Sequence, residues 1–279
     1  MPRQTPPGRL EDIARAACEV FIEKGYRRAL MTDVAARLEI NHALLYRYVE
    51  SKDALLELAA RYAMDQTVDR TAEVPLPTPP RGHTLELLRN WIKVQAAFPV
   101  FRAALERGPG EAGQSEASQS EASPLEDPAA EMGGIIDEFY SFVQRARMVL
   151  SLMNSLVIDY PEFNELFVND SKNSQIERLA AYLSSRAASG ALRTLPDPEM
   201  AAHFIVESVA WFAMHRKEDP STAWIDDERA RSSVRALLLS TFVPDPVTTG
   251  TGLGPASPHL EAALGSAVPT DRSRAVFKS

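Results

Sequence analysis

Apolar residues recur along this chain at helical spacing and nowhere alternate with the period of two that a half-buried strand needs, which confines it to an all-α fold. The clearest stretch covers residues 9–24. There Ile13, Ala16, Ala17, Val20 and Phe21 fall at i, i+3, i+4, i+7 and i+8, one face of a helix. Gly25 follows at the place where a left-handed terminal residue closes a helix. A short helix is expected over 31–38, with Met31, Val34, Ala35 and Leu38 facing inward. A tight break at 39–41 leads to a second short helix, 42–48, carrying Leu45. Ser51 then stands as an N-cap, and Lys52 opens a longer helix with Leu55, Leu56, Ala59, Tyr62 and Ala63 inside.

Proline and low-complexity stretches divide what remains. Residues 1–8 are Pro-rich and read as a flexible arm before a first domain at 9–62. Residues 73–82 hold four prolines and read as a linker or a sharp break. Helical patterning returns at 84–106, where Pro99 should kink or end a segment. Residues 108–131 contain the run SEAS twice and read as a disordered insert, because so polar a stretch cannot bury enough apolar surface to offset ordering. Helices are expected again at 132–158, 161–168, 173–189, 198–217 and 226–242, completing a large domain over 84–243. The Gly-, Thr- and Pro-rich tail, 244–279, reads as disordered.

Composition excludes several classes. A single cysteine, Cys18, rules out an intrachain disulfide framework and suits a reducing, cytoplasmic setting; beside the first helical stripe it reads as a small packed hydrophobe. The N-terminus has no apolar stretch of a secretory signal, and the most apolar run, 148–158, is broken by Ser151, Asn154 and Ser155, so no membrane association is expected. The net charge of −8 argues against nucleic acid until it is counted by segment. Residues 1–62 carry 10 Lys and Arg against 9 Asp and Glu, so the acidity lies beyond them. The large domain should therefore stay off a phosphate backbone.

Two short helices joined by a tight turn, with a longer helix before and after, form the helix-turn-helix arrangement, whose second helix enters the DNA major groove. Asn41, His42 and Arg47 are candidates for base-edge or backbone contacts: Asn suits adenine, Arg suits guanine, and His can donate or accept. Asn41 serves equally well as an N-cap. Tyr46 and Tyr48 leave a helix about 200° apart, so both cannot be core. Lys52 lies in the first turn of a helix, where the macrodipole disfavours a cation. That placement makes sense where a phosphate sits between the helix terminus and the ammonium.

The residues Ile13, Ala16, Ala17, Phe21, Gly25, Tyr26, Asp33, Val34, Ala35, Ile40, Leu45, Tyr46, Tyr48 and Ser51–Leu55 match in order and spacing a known pattern, most specifically in LLYRYVESKDALL (44–56). Over residues 9–60 the chain resembles the DNA-binding domain of the TetR family. The stretches YPEFNELF (160–167) and GALRTLPDPEMAAHF (190–204) resemble it loosely, as the approach to the dimerisation helices. The resemblance implies a sequence-specific, dimeric transcription regulator, most simply a repressor released from a double-stranded operator by a small apolar or amphipathic ligand. It also implies that Tyr46 and Lys52 touch the DNA backbone. The DNA-contacting set it suggests is Thr32, Asn41, His42, Ala43, Leu44, Tyr46, Arg47, Tyr48 and Lys52. The chain departs from the pattern at three places, four residues in all. Glu39 stands where the turn usually has glycine. Ala43–Leu44 replaces Gly-Thr, so Leu44 either meets a thymine methyl or packs inward. Leu30 replaces a Thr cap, which leaves Thr32 to cap two residues late or to face phosphate.

The resemblance further implies an apolar ligand cavity in the large domain. Trp91, Gln95, Phe98, Phe142, Met148, Met153, Asn154 and Trp211 are its candidate lining. His203 and His215 are twelve apart and form no evident metal pair. No Gly-rich phosphate loop, nucleophile elbow or HExxH is present, so neither an enzyme nor a metal or other cofactor is expected. A helical dimeric scaffold, or a regulator controlled by a protein partner, is the alternative. One recognition helix reads too few bases, so a homodimer is expected, with the helices at 198–217 and 226–242 as its interface. Ala230, Val234, Leu237, Leu238 and Phe242 are its expected apolar stripe.

Overall fold

The computed structural model describes residues 8–69, 71–107, 127–165 and 172–244. The arm, most of the 108–131 insert and nearly all of the C-terminal tail lie outside the described residues. Among the described residues there are eleven α-helices and no strand beyond one isolated bridge. They are α1 (Arg9–Arg28), α2 (Met31–Arg37), α3 (His42–Leu45), α4 (Lys52–Asp65), α5 (His83–Gln95), α6 (Pro99–Glu106), α7 (Pro128–Val157), α8 (Pro161–Asn164), α9 (Ser174–Ala188), α10 (Pro198–Ala213) and α11 (Asp227–Phe242). None is long and apolar enough to cross a membrane.

The helix starts follow local chemistry. Ser51 Oγ accepts the Ala54 N–H at the head of α4, and Asp127, Asp197 and Asp226 cap α7, α10 and α11 through their carboxylates. Pro128 and Pro198 follow two of these caps at the first helical position, where a missing N–H costs nothing. The Asp-Pro pair at 127–128 also corrects the expected insert: residues 128–131 are the first turn of α7. Gly25 has φ +73° inside α1, and the chain then resumes for one further turn.

Glu39 ends α2 with φ +55°. Its N–H donates to Ala36 O, and the Ile40 N–H donates to Ala35 O, a Schellman closure that favours glycine at position 39. Left-handed geometry costs an L-residue roughly 1–2 kcal/mol, and glycine returns part of that through unfolded-state entropy. Glu39→Gly should therefore raise stability by about 0.5–1 kcal/mol. A urea melt read by circular dichroism checks this; a lower midpoint would contradict it.

Two buried cores hold the chain together. The first joins α1–α4, including Ile13, Phe21, Val34, Leu45 and Leu55, to Leu88 of α5 and to Val149, Leu152, Met153 and Leu156 of α7. The second joins Phe101 of α6 and Met132, Ile135, Ile136 and Tyr140 of α7 to α9, α10 and α11. The 30-residue α7 thus contributes its C-terminal half to one core and its N-terminal half to the other. Cys18 is buried in the first core, and burial, then the neighbouring Glu19 charge, pushes its thiol up to about 12, so it stays an inert packed group at neutral pH.

The expected dimer stripe needs correction. Ala230, Val234, Leu238 and Phe242 recur every four residues and are all buried in the second core of their own chain. Leu237 alone of the five faces out, 65% exposed. The apolar residues that α10 leaves exposed are Met200, Phe204 and Trp211.

Candidate nucleic-acid interface and internal cavities

α1 to α4 form the expected helix-turn-helix. Arg37 of α2 pairs with Glu19 and Glu23 of α1 at 3.1 and 2.6 Å. Lys24 of α1 pairs with Asp33 of α2 at 2.8 Å, and Asp33 also accepts the Leu30 N–H at 2.9 Å. The Lys24 partner first, then the Leu30 N–H, hold the Asp33 carboxyl below its usual range. Asp33 thereby supplies one half of a capping box; the Leu30 side chain has no acceptor for the other half. Thr32 is no cap: it is the second residue of α2 and is exposed.

The α3 region splits by face. Leu45, Tyr48 and Val49 are buried, whereas Asn41, His42, Ala43, Tyr46 and Arg47 are exposed and Leu44 is half-buried. The α-helix is only four residues long; Arg47 and Tyr48 lie in the hydrogen-bonded turn that follows. Asn41 Oδ1 accepts the Ala43 N–H at 2.9 Å, so its carbonyl oxygen is used as an N-cap. Tyr46 is 49% exposed and Tyr48 only 7%. The two tyrosines thus take opposite faces, and the Tyr48 ring packs rather than projects.

Lys52 is half-buried. Its ammonium lies 4.3 Å from the centre of the Tyr26 ring, and Nζ donates to Arg27 O at 3.4 Å. Desolvation lowers its pKa, against the opposing charges of Asp159, Asp53 and Asp33. Tyr26 donates its hydroxyl to Asp53, and its ring lies tilted against that of Tyr160, 5.1 Å between centres. Burial, then the bond to Asp53, raises its hydroxyl above the ordinary phenol range. Asp159, just past α7, accepts the Arg27 N–H at 2.8 Å. A Cβ at Gly25 would stand 3.0 Å from that same carboxylate, so glycine is needed there for contact as well as for φ. This latch between α7 and the helix-turn-helix was not anticipated from sequence, nor were the exposed Arg27 and Arg28 beside Lys52. The Gly25–Tyr26 pair was visible, but its partners on the α7 side, Asp159 and Tyr160, lie more than 130 residues away.

The proline-rich linker is pinned. Leu76 N–H donates to Tyr48 O at 2.7 Å, and Glu50 N–H donates to Leu76 O at 2.9 Å, a parallel bridge between positions 49 and 76. Thr78 adds bonds to Glu50 and Ser51.

The expected ligand residues fall into several places. Phe98, Phe142 and Asn154 line a cavity of about 170 Å³ among α5, α7 and α10. Trp91 and Gln95 line a different one, about 870 Å³, between α4, α5 and the linker. Met153 is fully buried in the first core, Met148 packs against that core, and Trp211 faces outward on α10. Phe98 itself sits at φ +42°, with its ring 4.7 Å from Phe139 and 5.1 Å from Phe142.

Four helices packed this way, with a polar, exposed edge on the second short one, define a helix-turn-helix protein built onto a larger helical body. Residues 13–59 match the bacterial regulatory proteins of the tetR family, and residues 138–239 match the C-terminal domain of AefR-like transcriptional repressors. The chain belongs to the TetR family. It is 36% identical over 70 residues to the HTH-type transcriptional regulator YvdT of Bacillus subtilis, covering 25% of this chain and 36% of that one. It is 39% identical over 57 residues to an HTH-type transcriptional repressor of Mycobacterium tuberculosis, covering 19% and 30%. The matched region is thus about a third of those relatives' own length. The ketosteroid transcriptional regulator KstR2 of M. tuberculosis overlays with a TM-score of 0.47 at 14% identity, covering 87% of this chain and 98% of that one.

Proposed function

We propose that the protein is a homodimeric, sequence-specific DNA-binding repressor of transcription whose operator affinity a small apolar or amphipathic ligand lowers. The observation that carries the reading is the exposed edge of His42, Ala43, Tyr46 and Arg47 next to Lys52, Arg27 and Arg28, on a scaffold that belongs to the TetR family. In this reading Lys52, Arg27, Arg28 and the Tyr46 hydroxyl hold phosphates, with Thr32 available beside them. His42 and Arg47 face base edges, with Ala43 and the half-buried Leu44 giving apolar contact to a thymine methyl. Asn41 positions the helix as its cap, and its amide NH2 is left for the groove. Tyr48 acts from inside, setting the angle of the turn.

The ligand enters the smaller cavity. At about 170 Å³ it is below the roughly 300–1,000 Å³ of occupied ligand sites, so binding requires a wall to move. Phe98 is the wall held in strained backbone geometry. Asn154 of the lining lies five residues before Asp159, so a shift of α7 reaches the latch on Tyr26 and Arg27. The exposed Met200, Phe204 and Trp211 of α10, with Leu237 of α11, form the dimer face.

Selecting bound sequences from a random DNA pool supplies the operator, and salt-titrated affinities then test the roles. Lys52→Ala should weaken operator and scrambled DNA alike and flatten the salt dependence by about one unit of slope. Arg47→Ala should cost roughly 1–3 kcal/mol on the operator and relax one position. A changed base preference in Lys52→Ala, or a uniform loss with a reduced salt slope in Arg47→Ala, would reverse these assignments. Failure to enrich any sequence would leave the scaffold reading in its place.

A further inference from the structure

The larger cavity, about 870 Å³, shares α5 with the smaller one but none of its lining residues: it is lined by α4, by the other part of α5 and by linker residues 67–69, 72 and 76–80. Its apolar wall includes Leu58 of α4, Val68 and Leu76 of the linker and Trp91 of α5. A space of this size and lining is within the range that takes small molecules.

Among the described lining residues acidic groups outnumber basic ones. Glu57, Asp65 and Asp69 stand on the lining, and Arg61 is the Lys or Arg among the described lining residues. Arg61 is already committed: its Nε and Nη2 donate to Glu57 Oε1 at 3.0 and 2.8 Å. His83 Nε2 approaches the same oxygen at 3.7 Å. The other oxygen, Glu57 Oε2, is buried and has no hydrogen-bond partner. A buried carboxylate oxygen without a donor is unfavourable, and a cation bearing N–H groups relieves it. The terminal torsion of a glutamate is broad, so a partial turn of the carboxylate brings Oε2 toward the cavity while Arg61 keeps its contact with Oε1. An indole beside the site adds a face suited to a cation.

We infer that this space is a second small-molecule site, selective for an amphipathic amine whose ammonium pairs with Glu57 and whose apolar part lies against Leu58, Val68, Leu76 and Trp91. An anion of the same shape is rejected by the acidic lining. The site does not depend on the ligand proposed for the smaller cavity. Its roof is the segment whose Leu76 hydrogen-bonds Tyr48 and Glu50 just before α4.

The test is calorimetric titration of the full chain, without DNA, with dodecylammonium chloride and with sodium dodecanoate, both below their micellar concentrations. Dodecylammonium should bind with one site per chain, and dodecanoate at least about ten-fold more weakly. Glu57→Gln should weaken the amine by about ten-fold or more while its melting curve stays cooperative. Val68→Trp, which fills the space from the linker and leaves Glu57 in place, should abolish binding. Asn154→Leu, in the smaller cavity, should leave it unchanged. Equal binding of the two headgroups, unchanged amine affinity in both Glu57→Gln and Val68→Trp, or loss in Asn154→Leu would overturn the assignment. None of these readouts involves an operator, so failure of the repressor reading would be seen separately.

Discussion

Replacing Glu131 by alanine is expected to destabilise the protein by about 3–5 kcal/mol, which in a chain of this size lowers Tm by roughly 6–20 °C. Glu131 lies in the first turn of α7, and its side chain is 11% exposed. Arg186 Nε donates to its Oε1 at 2.8 Å, Tyr182 OH donates to the same oxygen at 2.9 Å, and Arg107 Nη2 donates to Oε2 at 2.9 Å. Arg186 Nη2 also donates to Ala104 O at 2.8 Å. One carboxylate therefore ties α6, α7 and α9 together. Removing it leaves a buried guanidinium with only carbonyl partners, which is the expensive outcome; removing the pair together is far milder. Glu131→Leu combined with Arg186→Met should recover most of the loss. A loss below about 1 kcal/mol in Glu131→Ala would mean that the network is open to water in solution.

The same network sets a pH dependence. Burial pushes the Glu131 carboxyl up, but the hydrogen bonds from Arg186, Arg107 and Tyr182 outweigh it, and the net shift is downward from 4.5. The folded state thus binds this proton more weakly than the unfolded chain. Its contribution is fully present above the ordinary carboxylate value and is lost as pH falls through the lowered one. Acid melts of the wild type and of Glu131→Gln should converge at low pH; parallel curves would contradict the assignment.

Phe204→Glu is expected to break the proposed dimer, weakening self-association by at least about 2–4 kcal/mol, or roughly 30- to 1,000-fold. Phe204 is 59% exposed on α10, between Met200 and Trp211 on the same outer face. A two-fold axis brings like faces together, so the substitution sets a carboxylate from each copy into an apolar contact. Operator binding should fall with it, because each monomer then holds one half-site. Val234→Ala provides the contrast. Val234 is buried within its own chain, so this change should lower the melting temperature by the cost of a cavity and leave the dimer constant in place. Sedimentation showing Phe204→Glu as a dimer at micromolar concentration, or Val234→Ala as a monomer, would move the interface elsewhere.

Local signals carried much of the architecture. The helical stripes of Ile13–Phe21 and of Leu55–Ala63, the Ser51 cap and the break after Gln95 are all written within a turn or two of the residues they control. The left-handed residue at Glu39 was legible only through the family resemblance, which places a glycine at that position of the turn. The expected insert runs into the first turn of α7 because its composition stays low-complexity past the Asp127–Pro128 helix start. Of the candidate interface, the residues on and around α3 were readable, but the burial of Tyr48 and the cap role of Asn41 needed the direction of each side chain.

Sequence by itself determined the helical class, the order of the elements, the helix-turn-helix and the family, because periodicity, caps and local motifs act through neighbours three or four residues apart. Tertiary structure decided what depends on partners far along the chain. It assigned the Ala230–Phe242 stripe to an internal core, since an apolar stripe carries no mark of whether its own chain or a second copy will cover it. It also split the expected ligand residues between two cavities and joined Glu131 to Arg186 and Gly25 to Asp159. Those contacts span tens of residues, and their existence follows from how the helices pack rather than from any spacing along the chain.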